Sequence, residues 1–135
     1  MTQFDYIIVG GGAAGLLLAE AMGNDPFFSH KSVLILEKDL KNLNDRTWCF
    51  WEKGVGRFDF LLYKSWDQIF VAGKNLHLNT SIAPYTYKML HGIDFYNHFV
   101  PKVKDCPNIT WSQEVVKDIQ EEVGLVMVTT DRAKY

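Results

Sequence analysis

Three glycines near the start of the chain have the spacing of a phosphate-binding turn. Gly10, Gly12 and Gly15 follow the G-x-G-x-x-G pattern, directly after an apolar run over residues 5–9. In that pattern the first glycine permits a tight turn, the second lets the backbone approach a pyrophosphate, and the third lets the next helix pack closely. Free N–H groups at the start of that helix favour phosphate. We therefore expect a nucleotide site that includes Gly10, Gly12, Ala13, Ala14 and Gly15.

An acidic residue stands where such a site binds ribose. Glu37 ends a second apolar run, over residues 33–37. A carboxylate at this position accepts hydrogen bonds from ribose hydroxyls and repels a 2′-phosphate, which argues against NADP in this site. A run of three glycines this close to the N-terminus is more typical of FAD enzymes than of NAD enzymes with this fold. The sequence therefore favours FAD over NAD as the cofactor.

A second group of chemically informative residues lies at positions 44–51, which read N-D-R-T-W-C-F-W. Three large aromatic side chains lie within four residues of this segment, introduced by an adjacent acid and base, which is an unusual composition. The residues concerned are Asp45, Arg46, Trp48, Phe50 and Trp51. Plain packing of the aromatic side chains would place the first two rings on one face of a strand and the third on the other. The acid and the base are compatible with a solvated loop pair.

Composition restricts the class of protein. The chain has 135 residues, 47% of them apolar and 22% charged, which is ordinary for one globular core. A net charge of -2 without a basic stripe gives no case for nucleic acid. No apolar run approaches the roughly 20 residues of a membrane-spanning helix, and the N-terminus does not have the pattern of a signal peptide.

The cysteines and histidines do not have the spacing of a metal site. We expect Cys49 and Cys106 to be reduced, partly buried thiols of a cytoplasmic protein. The four histidines are His30, His77, His91 and His98. The last two are seven positions apart and would share a face if one helix held both. Without a carboxylate or thiol partner this pair does not predict zinc binding.

The elements that position the nucleotide site are expected in the order strand, helix, strand. Residues 5–9 and 33–37 predict parallel strands, and residues 13–22 predict the helix between them. Loops are expected at 24–32 and 38–46, and a third parallel strand at 109–111. After it, residues 115–121 and 125–130 predict an antiparallel hairpin that turns at residues 123–124.

The middle of the chain predicts a hairpin and a helix. Residues 66–71 and 75–79 have the alternation of two paired strands around Gly73 and Lys74. Apolar residues at near-helical spacing predict a helix over 87–103. Within it, Asp94 is suited to cap a shorter helix and Pro101 to kink or end it.

These elements predict an α/β protein: the N-terminal half of a Rossmann-like FAD-binding fold, in which a parallel sheet is followed by a β-meander. We expect residues 1–135 to form the N-terminal part of an FAD-binding domain, with residues 47–86 as the start of a substrate-side insertion. A complete flavoenzyme also needs strands that cover the flavin ring and a domain for substrate. We therefore expect the chain to be part of a larger enzyme and inactive alone.

The segment at 44–51, together with the glycine turn, resembles the bacterial lycopene β-cyclases, which carry the same N-D-R-T-W-C-F-W sequence in the same place. The resemblance implies an FAD enzyme that closes the acyclic ends of lycopene into β-rings by protonation, cyclisation and proton loss. It implies reduced FAD as the working cofactor, with NAD(P)H as its reductant. It also implies a carotenoid substrate, peripheral contact with the inner face of the membrane, and a general acid beyond Tyr135. On this resemblance the five residues named from the segment 44–51 are candidates to face flavin or substrate, because ring faces stabilise cations and a dry pocket excludes water. No catalytic residue is assigned within this chain.

Two other functions agree with the same residues. One is a different FAD-dependent oxidoreductase or monooxygenase of this fold, which would transfer electrons to substrate or oxygen. The other is a non-catalytic fragment that keeps the dinucleotide-binding unit. The consumption of reductant separates the first from a cyclase, because cyclisation is not a net redox reaction.

Overall fold

The computed structural model describes residues 2–135 and divides the chain into two compact units. The first unit comprises residues 2–41 with residues 97–135, and the second is Asn42–Tyr96. Numbered along the chain, the strands are β1 (Tyr6–Val9), β2 (Val33–Glu37), β3 (Thr47–Lys53), β4 (Lys64–Trp66), β5 (Gln68–Gly73), β6 (Leu76–Ser81), β7 (Tyr85–His91), β8 (Ile109–Gln113), β9 (Val116–Glu122) and β10 (Leu125–Thr130). The helices are α1 (Ala13–Asn24) and α2 (Gly92–Lys104), with 3₁₀ turns at Pro26–Phe28 and Asp59–Leu61.

The first unit is built on a parallel sheet with the strand order β1-β2-β8. All five residues of β2 are buried, because this strand has a neighbour on each side and protein on both faces. Val33 pairs with Tyr6 of β1 and with Ile109 of β8. The three predicted parallel strands are confirmed, and the third continues to Gln113. The α/β fold class is confirmed with them.

Helix α1 follows the glycine turn and packs through one row of apolar side chains. Leu16, Ala19 and Met22 are its buried residues, and their spacing of three keeps them on one face. The helix ends at Asn24, two residues later than predicted. The predicted loop that follows contains the 3₁₀ turn, at which the Asp25 side chain accepts a hydrogen bond from Phe27 N–H at 2.9 Å.

The predicted hairpin near the C-terminus is confirmed as β9 paired with β10. It contributes Val128 to a core cluster with Leu34 and Leu36 of the parallel sheet. Phe4 and Tyr135 pack against this cluster, and their rings meet edge to face at 6.0 Å. The hairpin therefore covers one face of the sheet that carries the predicted nucleotide site.

A buried carboxylate ties β8 to this hairpin. Glu114 is 7% exposed and accepts hydrogen bonds from Ser112 Oγ at 2.5 Å, Thr130 Oγ1 at 2.5 Å and Tyr135 Oη at 2.6 Å. Burial opposes the charged form, but the three hydrogen bonds outweigh it and hold the pKa of Glu114 below its ordinary value. The same contact with Glu114 raises the pKa of Tyr135.

The second unit contains two antiparallel sheets. One has the order β3-β7-β4, and the other is the two-stranded hairpin of β5 and β6. In the central strand β7, Lys88 and Leu90 are buried, and their spacing of two places them on the same face. The aromatic segment of the sequence forms β3 beside this central strand.

The predicted helix over residues 87–103 is wrong in its first part. Tyr85–His91 is strand β7, and the helix begins at Gly92. The near-helical spacing of apolar residues here extends across a strand and a helix, while pairing with two neighbouring strands determines the conformation. Asp94 lies in the first turn of α2, but Pro101 does not end the helix, which continues to Lys104.

The predicted hairpin in the middle of the chain is present with shifted boundaries. Trp66 ends β4 rather than starting the hairpin, β5 begins at Gln68, and the turn falls at Lys74 and Asn75. Leu76 and Leu78 alternate with polar residues as predicted, but they are 51% and 45% exposed.

Two expectations about isolated side chains are corrected. Cys106 is a half-buried free thiol as expected, but Cys49 is exposed, because it lies on the same face of β3 as Trp51. His91 and His98 do not share a helix face, since the first ends β7. Across residues 2–135 no cluster of three His, Cys, Asp or Glu side chains has metal-binding geometry. In the same residues, no helix is long and apolar enough to cross a membrane.

Candidate functional site

The glycine turn between β1 and α1 has the conformation that its sequence requires. Gly10 has a φ of 100°, in a region that only glycine adopts readily. A Cβ atom at Gly15 would overlap the carbonyl oxygen of Gly10. The first and third glycines of the pattern are therefore required by the protein's own backbone, whether or not a ligand is bound.

The second glycine of the pattern is different, because it faces open space. Beyond Gly12 itself and its two chain neighbours, no described protein atom lies within 4 Å of a Cβ built on this residue. Gly12 is also the N-cap of α1, and no side chain caps this helix. The first turn carries no acidic residue, and it contains Ala13 and Ala14, whose methyl groups leave the backbone accessible. The helix thus begins with uncapped N–H groups beside an open surface, which suits a phosphate.

Glu37 lies directly beside this turn. Its side chain is almost completely buried, and Oε2 accepts a hydrogen bond from Gly11 N–H at 2.6 Å. Oε1 accepts another from Asp39 N–H at 2.8 Å. Lys41 Nζ lies 3.3 Å from Oε2, so the charge of the carboxylate is compensated within the protein. A carboxylate has about four acceptor positions, which leaves capacity for a ligand hydroxyl.

Sequence reasoning missed two residues of this site. Lys41 has a φ of 55°, which is uncommon for a residue other than glycine, and its side chain is 8% exposed. Its position four residues after the acid was the available signal. Trp111 of β8 lies beside the glycine turn. Nothing in the local sequence indicates this contact, because the two segments are about 100 residues apart in the chain.

The structure brings together every predicted nucleotide-site residue of the first unit. The turn from Gly10 to Gly15 and the end of β2 at Glu37 are adjacent, as the hydrogen bond from Gly11 shows. The donor set is backbone N–H groups for an anion and a carboxylate for a hydroxyl. This combination fits the pyrophosphate and ribose of a dinucleotide.

The aromatic segment 44–51 belongs to the second unit, where it has two distinct faces. Trp48 is half-buried and contacts Phe95 and Tyr96 edge to face, at ring separations of 5.3 Å and 5.9 Å. Phe50 contacts Phe58 at 6.4 Å. These two side chains are packed, as the alternation of β3 predicted.

Trp51 lies on the opposite face and is 53% exposed. Its ring lies 4.9 Å from that of Tyr87, and the Tyr87 ring lies 5.8 Å from that of Trp66. The register pairs Tyr87 with both tryptophans, so the three rings form a row across the sheet. This aromatic row is a surface on which a flat or extended apolar molecule can lie.

Asp45 and Arg46 lie in the loop before β3. Arg46 Nε is 4.0 Å from Asp45 Oδ2, and both side chains are exposed, so the pair contributes little to stability. The carbonyl group of Arg46 accepts a hydrogen bond from Gly92 N–H at 2.7 Å, which fixes the backbone of this loop. The two side chains are thus free to interact with a ligand from a fixed position.

A buried lysine was not predicted. Lys88 is 2% exposed, and its ammonium group donates to Glu52 Oε2 at 2.9 Å, Asp59 Oδ1 at 2.6 Å and the Gly54 carbonyl at 2.9 Å. The hydrogen bond with Asp59 raises the pKa of Lys88, and it lowers that of Asp59. Nothing in the local sequence separates this lysine from the exposed ones, because its partners are distant in the chain.

Comparison with solved structures shows a common fold. The chain is similar to flavin-dependent brominase Bmp2, with a TM-score of 0.66, 16% identity, and coverage of 99% of this chain and 35% of that one. It is also similar to PqsL from Pseudomonas aeruginosa, described as a probable FAD-dependent monooxygenase, with a TM-score of 0.65 and 13% identity. That comparison covers 96% of this chain and 39% of PqsL. A thioredoxin reductase from Gloeobacter violaceus has a TM-score of 0.53 and 16% identity, with coverage of 98% of this chain and 31% of the reductase. The chain therefore spans about a third of the length of these structures.

Sequence comparison identifies the family. No curated protein sequence gave a match. The family profile described as lycopene cyclase protein matches residues 5–134, which is nearly the whole chain. The match includes the glycine turn, Glu37 and the aromatic segment 44–51. This chain belongs to the lycopene cyclase family.

Proposed function

We propose that this chain is the FAD-binding part of a lycopene β-cyclase, which closes the acyclic ends of lycopene or a related carotenoid into β-rings. The observation that carries the proposal is the family match over residues 5–134. The proposed reaction is an isomerisation that begins with protonation of a double bond and ends with proton loss. Substrate and product have the same composition, so no electrons are consumed.

FAD is the proposed cofactor because the glycine turn fits one half of it. At the uncapped start of α1, the N–H groups of Gly12, Ala13 and Ala14 would donate to the pyrophosphate. The Glu37 carboxylate would accept a hydrogen bond from a ribose hydroxyl. The names of Bmp2 and PqsL add support, since both describe flavin enzymes with this fold. When bound, reduced FAD would stabilise the cationic transition state, and NAD(P)H would serve to reduce it.

The second unit is proposed to contribute to the substrate side, with residues 47–86 as the start of an insertion. The aromatic row of Trp51, Tyr87 and Trp66 offers ring faces to a polyene and to positive charge that develops on it. Asp45 and Arg46 are proposed to face flavin or substrate from the fixed loop. Trp48 packs against Phe95, and Phe50 packs against Phe58.

The proposal also concerns location. Lycopene is dissolved in the bilayer, so the enzyme must reach it from the membrane surface. We place the protein in the cytoplasm, in peripheral contact with the inner face of the membrane. Separation of soluble and membrane fractions of cells at low and high salt tests this placement; a protein found wholly in the soluble fraction at low salt contradicts it.

The first test concerns the cofactor. Gly12→Val puts a branched side chain where the backbone must approach the pyrophosphate, so flavin retention should be lost while the fold is kept. Glu37→Ala should weaken FAD binding by about 1–3 kcal/mol, the effect of a lost charge-assisted hydrogen bond. Flavin absorbance after gel filtration measures retention, and circular dichroism measures the fold. Normal flavin content in Gly12→Val contradicts the proposed site.

The second test concerns the aromatic segment. In a catalytically competent protein that contains this sequence, Asp45→Ala and Trp51→Ala should reduce cyclisation and leave FAD content unchanged. The readout is pigment analysis of lycopene-accumulating cells. Val55→Ala is a matched control, because Val55 is 91% exposed and outside the aromatic row. Full cyclisation by both variants would contradict a substrate role for this segment.

A second candidate function is an FAD-dependent monooxygenase or other oxidoreductase. Its support is the similarity of fold to PqsL, whose description names that activity. The two functions differ in electron balance, because a monooxygenase oxidises one NAD(P)H for each turnover. Product formation without stoichiometric NAD(P)H oxidation supports the cyclase, and one-to-one oxidation supports the alternative.

A further inference from the structure

Gly11 lies between the first two glycines of the nucleotide pattern, at a position where the pattern itself does not require glycine. In this protein Gly11 is buried. A Cβ atom there would overlap Cη2 of Trp111, lie 3.1 Å from Cζ3 of the same ring, and lie 3.3 Å from Cβ of Glu37. The nearest obstacle is therefore a side chain from another strand rather than the turn itself.

The position of Trp111 follows from the register of the parallel sheet. Trp111 of β8 pairs with Ile35 of β2, and Glu37 lies two residues further along β2. Paired residues of neighbouring strands project to the same side of a sheet, and so do residues two apart on one strand. The indole of Trp111 and the carboxylate of Glu37 therefore lie on the same side. Lys104 Nζ lies 5.3 Å from the centroid of the Trp111 ring. The ring therefore lies near both this ammonium group and the glycine turn.

Contact with the Trp111 ring affects the rest of the site because Gly11 is also a donor. The N–H of Gly11 bonds Oε2 of Glu37 at 2.6 Å. A shift of the turn away from the ring would lengthen this hydrogen bond and move the neighbouring Gly12. Gly11 therefore links the indole of Trp111 to both groups that would hold the nucleotide.

We propose that Trp111 is a positioning residue of the nucleotide site, which sets the place of the glycine turn and of Glu37 through its contact with Gly11. This inference rests on the proposed function in that the ligand is taken to be a flavin dinucleotide. It predicts that glycine is required at position 11 only while tryptophan stands at position 111. A shorter side chain at position 111 should remove the requirement.

The test is a double-mutant cycle in the 135-residue chain, with Kd measured for FAD and for ADP. Gly11→Ala should weaken both at least tenfold, because the methyl group and the indole cannot occupy the same space. Trp111→Leu removes the benzo ring that carries Cη2 and should weaken binding about threefold through loss of support. The double variant should bind within about threefold of Trp111→Leu, so that the two effects are not additive.

Gly12→Ala is the matched control. It has open space around it, so its methyl group meets only the ligand. This variant should also bind nucleotide weakly, but its unfolding midpoint should be unchanged, and Trp111→Leu should not rescue it. Rescue of Gly11→Ala without rescue of Gly12→Ala separates a contact made by Trp111 from a general relaxation of the turn.

Additive losses in the cycle, or normal binding by Gly11→Ala, would overturn the inference. If Gly11→Ala fails to fold, recovery of the fold in the double variant supports the contact, and failure to recover contradicts it. If the unmodified chain binds neither FAD nor ADP, the proposed nucleotide site of this chain fails instead. In that case the same cycle, measured as urea midpoints, still decides whether Trp111 and Gly11 are coupled.

Discussion

Two tryptophans of the same strand have opposite surroundings, and their contributions to stability should differ accordingly. Trp48 packs against Phe95 and Tyr96, whereas Trp51 is 53% exposed. Trp48→Ala should lower the free energy of unfolding by about 2–4 kcal/mol, since it leaves a gap beside two buried rings. Trp51→Ala should cost less than about 1 kcal/mol. Urea unfolding of both variants measures the difference, and equal losses would contradict the two-faced arrangement of β3.

Glu114 should make stability depend on acid pH. Its pKa is lowered in the folded protein, so it stabilises the fold above its unfolded pKa, and this contribution is lost as pH falls through the folded value. Glu114→Gln should lose about 1–3 kcal/mol at pH 7, because three donors lose a charged acceptor. The difference between the variant and the parent should shrink towards pH 3. A difference that is constant with pH would show that the charge contributes nothing.

Pro101 is an exposed residue inside α2. It supplies no N–H for the carbonyl of Asn97, while its own carbonyl accepts from Asp105 N–H at 2.9 Å. Pro101→Ala should therefore raise the free energy of unfolding by about 1–2 kcal/mol, after allowance for the greater freedom of the unfolded chain. Pro107→Ala, beyond the helix, is the control and should give a small loss. Thermal unfolding of both variants compares them, and a loss in Pro101→Ala would contradict the helical assignment.

The sequence was sufficient for elements whose cause is local. The strand at Val33–Glu37 was predicted with its exact bounds. A short run of apolar side chains that ends in an acid before a polar loop is typical of a buried parallel strand. The hairpin of β9 and β10 was predicted because Gly124, with a φ of 82°, marks its turn. The glycine turn was predicted from the spacing of its glycines, and Gly10 has the positive φ that such a turn requires.

The sequence was insufficient where partners from distant segments decide. Leu90 belongs to a strand because β3 and β4 pair on either side of β7, and no local feature reveals these partners. The contacts of Trp111 with Gly11, and of Lys88 with Asp59, likewise join positions far apart in the chain. The candidate nucleotide-binding residues could be identified from residue types and spacing. The residues that contact and support them could be identified only from the three-dimensional structure.

Binding of FAD should raise the thermal stability of the whole chain. If FAD binds the folded chain and not the unfolded one, a concentration of about 100 times Kd adds about 2.7 kcal/mol. For a chain of this size the melting temperature should rise by roughly 10 °C. Gly12→Val should melt at the same temperature with and without FAD. An equal rise in this variant would place the flavin elsewhere on the protein.

Lys88 has a further consequence for the chemistry of the chain's amines. An amine reacts with acylating reagents only as the free base, and Asp59 and Glu52 hold this one in its ammonium form. Lys53 and Lys64, by contrast, are exposed to solvent. Under brief acetylation the surface amines of the second unit should be modified while Lys88 is spared. Its modification would then report, residue by residue in a mass spectrum, the moment at which this unit opens.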